Sequence, residues 1–213
     1  MGIVDLSPSL TPIALTYQQP TKGLRDMNDT TTGLEVPGYV AGRWSIDPVH
    51  SEVGFTVRHM MVSKVRGKFT KYEVELVTAE NPFDSSVTAT IYLDSIDTGS
   101  PDRDNHLRSA DFFEVEKYPT MTYKSRGIRP SGDRFILDGD LTLKGRTRPL
   151  SLDLEVGGFS PDPYGGTRAG FSATGQIKRS DFGVDFNAAL ETGGLVVGDK
   201  IDLSLEIEAV LAS

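Results

Sequence analysis

Residues 44–69 read WSIDPVHSEVGFTVRHMMVSKVRGKF, and the alternation inside this stretch decides the fold. Val53, Phe55, Val57 and His59 share one face of an extended chain, while Gly54, Thr56 and Arg58 take the other. Side chains two apart in a strand project to the same side. The apolar face therefore points at a core or a cavity, and His59 continues it. Trp44 and Ile46 start this first strand, which breaks at Asp47-Pro48 and resumes at Val53. Val65, Gly67 and Phe69 alternate on odd positions, whereas Tyr72, Val74 and Leu76 alternate on even ones, which predicts a bulge near Lys71.

The rest of the chain repeats the pattern. Val87, Ala89, Ile91 and Leu93 form one stripe; Met121, Tyr123 and Ser125 form a weaker one. Phe135, Leu137, Gly139, Leu141 and Leu143 face Leu150, Leu152, Leu154 and Val156 across Lys144-Gly145-Arg146, a hairpin. Ala169 to Ile177 and Ile201 to Ala209 close the series, and the intervening positions are mostly polar. About eight strands with one wet and one apolar face predict an all-β protein, built as a curled sheet or a sandwich. SPDRDNHLRSADFF is the one clear helix, with Ser100 as N-cap, Pro101 at its first position, and Leu107, Phe112 and Phe113 set to pack on the sheet or cover an opening. GGFSPDPYGGTR reads as a long rim loop. Residues 1–40 carry prolines and the polar run MNDTTTG without periodicity, so they read as an extension, with the barrel domain over 41–213.

The balance of 22 Lys+Arg against 30 Asp+Glu leaves −8, which gives no electrostatic reason to bind nucleic acid. The basic residues are scattered along the chain, so no polybasic membrane patch is expected. With no cysteine, disulfides and thiolate chemistry are excluded. Neither a secretory leader nor an apolar run of ~20 residues is visible, and the expectation is a cytoplasmic protein without stable membrane insertion.

Three histidines, His50, His59 and His106, would make a metal site or an enzyme only if they converged in space, because they lack metal-ligand spacing. Asp47, His50 and Ser51 lie too close along the chain for a hydrolytic triad, and D-P-x-H-S reads instead as a turn whose Asp47 and Ser51 satisfy backbone groups. GGFSPDPYGG and ETGGLVVGD lack the helix start and lysine of a phosphate loop. Arg103, His106 and Arg108 are either a solvated helix face or a site for an anionic head at a cavity mouth. His59 is either a satisfied core imidazole or a polar anchor in an apolar lumen. Small inward residues (Gly67, Ala89, Gly139, Ala169, Ala173, Gly175) leave volume unless neighbours interdigitate, and eight-stranded barrels either fill their interior or hold a small ligand.

WSIDPVHSEVGFTVRH, VRGKF, SIDTGSPDRDNHLRSADFF, YPTMTYKS, GDLTLKGRTRPL, GFSATGQIKRSDFG and VGDKIDLSLEIEA, in this order from Trp44 to Ala209, resemble the YceI-like family of polyisoprenoid-binding proteins. The resemblance implies a lipocalin-like antiparallel β-barrel with an elongated apolar tunnel, partly closed by the helix. It also implies a long-chain isoprenoid-type lipid, polyprenyl or quinone-like, as ligand, a homodimer, no catalytic residue, no metal and no cofactor beyond the lipid. Many relatives are periplasmic. Phe55, Val57, Met60, Met61, Phe69, Ile91, Leu93, Phe112, Phe135, Leu141 and Phe171 are then expected to line the tunnel, and His59, Arg103, His106, Arg108 and Arg179 to meet a polar head. Another amphiphile, such as a fatty acid or its amide, is the nearest alternative. A histidine-based metal protein or enzyme is a second, and a barrel filled by its own side chains a third.

Overall fold

A computed structural model of the chain describes residues 36–60, 62–163, 165–187 and 196–212. The alternating stripes become strands β1 (Gly42–Ile46), β2 (Glu52–His59), β3 (Ser63–Phe69), β4 (Tyr72–Thr78), β5 (Ser86–Tyr92) and β6 (Ile96–Asp97). After helix α1 (Pro101–Arg108) come β7 (Thr120–Ser131), β8 (Arg134–Leu143), β9 (Arg146–Pro161), β10 (Thr167–Lys178) and β11 (Val197–Leu211). Every pairing is antiparallel, in the order β1-β4-β5-β7-β8-β9-β10-β11-β2-β3-β6, and β1 also pairs with β11. Three strands are broken in two: β1 with β2, β3 with β4, and β5 with β6. Counted with these breaks the sheet is a closed barrel of eight antiparallel strands, each beside its sequence neighbour, with one short helix.

Closure rests on β11. Its N-terminal half pairs with β2, from Val197 opposite His59 to Glu206 opposite Glu52, and its last residues pair with β1, Ala209 opposite Ile46 and Leu211 opposite Trp44. Between the two halves the D-P-V-H-S turn interrupts the ladder at Glu208, whose carbonyl keeps a backbone partner while its N–H is met by a side chain. Asp47 N–H donates to Glu208 O at 2.8 Å, Ser51 Oγ accepts from Glu208 N–H at 2.9 Å, and Asp47 Oδ1 accepts from Val49 N–H at 3.0 Å. The second break falls at Thr70-Lys71, where Thr70 N–H donates to Ser95 O at 3.1 Å and Lys71 N–H donates to Ser95 Oγ at 3.0 Å. Buried backbone groups without partners would cost free energy, so these two serines keep the composite strands continuous.

Three elements differ from their sequence reading. The stretch expected as a long rim loop is mostly strand: β9 runs to Pro161 and β10 begins at Thr167, because Phe159 packs on Trp44 and Phe171. The weak strand after Pro119 is twelve residues long, with a register shift between Ser125 and Gly127 that carries it past its polar positions. Ser100 occupies the helix N-cap without a side-chain bond; the buried Asp104 carboxylate instead accepts from the N–H and the hydroxyl of Thr98. Residues 1–35 of the expected extension lie outside the described residues. Tyr39, within its last part, donates to Ala79 O at 2.6 Å and sets its ring against Phe159.

Of the small inward residues, Gly67, Gly139 and Gly175 are used for close approach, whereas Ala89 and Ala173 border open space. A Cβ at Gly139 would stand 2.5 Å from the Tyr123 ring and 2.6 Å from Lys124 O, and one at Gly67 would stand 2.5 Å from the Phe55 ring. Gly139→Ala forces the Tyr123 ring aside and off its hydrogen bond to Leu137 O. The expected outcome is a loss of about 1–3 kcal/mol, measured by urea unfolding.

An apolar cavity along the barrel

The inward faces of the composite strands do not meet. They enclose a cavity of about 290 Å³, near the lower end of the ~300–1,000 Å³ common for small-molecule sites. At one end its wall includes Tyr39, Phe159, Phe171 and Ile207; at the other it includes Val57, Phe112, Val184 and Val197. The middle is built by Val53 and Phe55 of β2, Ile91 of β5, Leu137 and Leu141 of β8, Leu152 of β9 and Leu203 and Leu205 of β11.

Polar groups at the wall are nearly all consumed. Tyr123 donates its hydroxyl to Leu137 O at 3.0 Å, and burial pushes its ionisation well above the ordinary tyrosine range. Thr78 donates to Val40 O and accepts from Trp44 Nε1–H at 2.7 Å. Arg179 is the one charged residue on the wall among the described residues. It is buried, donating from Nε to Gly198 O at 3.0 Å, from Nη1 to Phe186 O at 2.8 Å and to Val184 O at 2.5 Å, and from Nη2 to Val197 O at 3.3 Å. Desolvation lowers its affinity for its proton, with Asp199 and Asp185 acting in the opposite sense. An arginine has five N–H donors, so these four bonds leave one without a partner among the described residues.

Of the residues expected in the tunnel, Phe55, Val57, Phe69, Ile91, Phe112, Phe135, Leu141 and Phe171 stand at the cavity wall. Leu93 does not: β5 ends at Tyr92, and a 3₁₀ turn over Leu93–Ser95 directs it into the packed core, where it is 0 % exposed. Met60 does not either, because β2 ends at His59 and Met60 sits at positive φ on the hairpin tip, 42 % exposed. Met61 lies outside the described residues.

The polar-head set separates. His59 is half-buried at the last pair of β2, opposite Ser63 and Val197, one step beyond the wall. Arg103 spends Nε and Nη2 on Thr98. His106 bonds Asp111 at 2.8 Å and sets its ring edge-on to Phe112 and Phe186. Arg108 donates to Asp94 O and Ile96 O. The cluster on α1 thus fastens the helix to the barrel, and only Arg179 reaches the cavity. Sequence reasoning passed over Tyr39, Phe159, Val184 and Val197 as wall residues. Phe159 was hidden in a stretch rich in Gly and Pro, and the others sit outside any alternating run.

The three histidines do not share a site. Among the described residues the grouping with metal-ligand geometry is Asp47, His50 and Glu208, on the strand break. Arg168 already bridges Asp47, at 2.8 Å, and Glu208, so the two carboxylates carry their own cation. Ser51 is engaged with Glu208 backbone and is not poised as a nucleophile. The Arg168 hydrogen bond, then that of His50, holds Asp47 far below the usual carboxylate range, and the Asp47 hydrogen bond raises His50.

A closed up-and-down barrel around an apolar cavity defines a lipocalin-like container. The chain belongs to the YceI-like family: the profile of the YceI-like domain matches residues 44–209. A UPF0312 protein of Staphylococcus epidermidis is 40 % identical over 168 residues, 78 % of this chain and 96 % of that one. The crystal structure of a Campylobacter jejuni YCEI protein superposes with a TM-score of 0.63 at 32 % identity, covering 78 % of this chain and 96 % of its own. A polyisoprenoid binding domain from Saccharophagus degradans shares the fold with a TM-score of 0.62 at 17 % identity, covering 81 % of this chain and all of its own.

The charge cluster on the strand break predicts a pH signature. A depressed Asp47 contributes stability at neutral pH that is lost as pH falls below the ordinary carboxylate range; a raised His50 contributes below about 6.5 and loses it as pH rises through its folded value. The His50 ring, followed by NMR, is expected to titrate above its ordinary value, and Asp47→Asn to bring it back down.

Proposed function

We propose that the protein binds a long-chain isoprenoid-type lipid, polyprenyl or quinone-like, inside the barrel and stores or carries it without chemical change. The observation that carries this reading is the cavity: its wall is apolar along the barrel, and its single charge lies at one end. A surrounding wall removes water from all sides of a hydrocarbon chain, at roughly 25 cal/mol per Å² of apolar surface before ordering costs. The likeness to the Saccharophagus polyisoprenoid binding domain supports the same class of ligand. Its non-catalytic character is supported by the wall chemistry: among the described residues it holds no carboxylate and no imidazole, and the hydroxyls of Tyr39 and Tyr123, which could serve in general acid–base work, are donated to backbone carbonyls.

At the Arg179 end the remaining N–H suits one acceptor oxygen, such as a quinone carbonyl or the first oxygen of a head group. The same feature favours a fatty acid or fatty amide as the second reading.

Organic extraction of the purified protein followed by mass spectrometry is expected to release a long-chain lipid. No lipid, together with no uptake when long-chain isoprenoids are offered, overturns the proposal. Ala173 lies on the wall in mid-barrel; Ala173→Phe is expected to cut uptake by about tenfold or more by filling the cavity, with the β-sheet signal in circular dichroism retained.

A further inference from the structure

The basic residues look scattered in sequence, yet the register gathers five of them at one end of the barrel. Lys178 stands opposite Lys200 across β10 and β11, Arg58 stands opposite Lys64 across β2 and β3, and Arg66 lies two residues along β3. β11 and β2 are themselves neighbours, with Ile201 opposite Val57, so the two pairs share one outer face. All five side chains are exposed, and among the described residues none is in an ion pair. Asp199 and Asp202 stand beside Lys200 on β11 and accept from the uncharged Ser180 and Gln176, so they keep their charge and the five cations outnumber these two carboxylates. On a chain with net charge −8 this is a local reversal of sign.

Apolar surface is exposed at the same end. Of four large hydrophobic residues that are exposed among the described residues, three gather here: Met60, Val62 at 83 % and Phe186 at 37 %. Met60 N–H donates to Val196 O at 2.8 Å, and Val197 O accepts from Asn187 and Arg179, which also binds Phe186 O. The hairpin tip and Phe186 are therefore joined through Val196 and Val197. The cavity reaches the same place, since Val57, Val197 and Phe112 are wall residues and Phe112 packs on Phe186.

We propose that this end of the barrel is a docking surface for an anionic lipid bilayer: the cationic band meets the phosphate layer, and the hairpin tip with Phe186 enters the headgroup region. Exposed apolar residues set beside basic ones are the composition of interfacial anchors. The adjoining cavity makes a bilayer, rather than an acidic protein, the fitting partner, and in that respect the inference rests on the lipid-binding reading. Docking would place the end of the cavity against the medium that holds its ligand.

The test is flotation of the full chain with vesicles of phosphatidylcholine alone or mixed with about 30 % phosphatidylglycerol, an anionic surface of the kind that attracts basic segments. The wild type is expected to float with the anionic vesicles only and to be released as salt rises towards roughly 0.5 M. Lys64→Glu/Arg66→Glu/Lys200→Glu is expected to lower partitioning by about 100-fold or more, since each basic residue near such a surface is worth about fivefold. Met60→Asp is expected to weaken it further, and Arg134→Glu, at the opposite end, to leave it unchanged. Equal flotation with both vesicle types, no flotation, or retention of polyglutamate with no response to vesicles overturns the proposal. Uptake of an isoprenoid delivered from detergent separates the two readings. A protein that loads lipid but ignores anionic vesicles refutes docking alone; one that floats but never loads supports docking and refutes the carrier.

Discussion

Everything in this barrel depends on one strand having two partners. β11 is long enough to hydrogen-bond β2 along its first half and β1 at its end, and that second pairing converts a sheet with two open edges into a ring. An open edge is a liability that closure removes. At this strand number closure permits either an interior filled by side chains or room for one small ligand. Here the side chains pack part of the interior and leave about 290 Å³ open, and the apolar wall follows from the same alternation that keeps the outside wet.

Closure also creates a local problem that the chain solves with side chains. A ring of twisted strands must bend, and the composite strands bend where they break, at 47–51 and at 70–71. Each break takes backbone groups out of the ladder. Ser51 and Ser95 restore the pairing, and Arg168 binds the charges left at the first break. The D-P-V-H-S turn, which carries three residue types suggestive of hydrolysis, is therefore part of the barrel wall's construction. Its strongly perturbed carboxylate is a consequence of ion pairing on the outer surface, a reminder that such perturbation is not confined to active sites.

Most of the fold was legible because period-two alternation survives in nearly every strand; Phe135 to Leu143 and Ile201 to Ala209 are unambiguous. What was not legible lies where alternation stops carrying information. Phe159 belongs to β9, but Gly157, Gly158, Pro161 and Pro163 around it imitate a loop. Leu93 extends a good apolar stripe past the point where its strand ends, so parity alone placed it on the wall, whereas Met60 lies off the parity of Val53 to His59 and sits beyond the end of its strand. His59 keeps the parity of its stripe and is the last paired residue of β2, yet it is not among the wall residues. Arg103, His106 and Arg108 were grouped correctly along the helix, but sequence spacing could not tell a face that grips the barrel from one that grips a ligand. The basic residues of β2, β3, β10 and β11 are far apart in the chain and meet only through strand pairing.

Arg179 has one more consequence. Its guanidinium holds Val184 O and Phe186 O before residues 188–195, and Val197 O and Gly198 O after them, while Asn187 and Val197 exchange a pair of hydrogen bonds. The described chain on either flank, residues 184–187 and 197–198, is thus tied together largely through one side chain. Removing the guanidinium would release four carbonyls on both flanks at once, so the start of β11 and the end of the cavity wall at Val184 and Val197 share a single anchor.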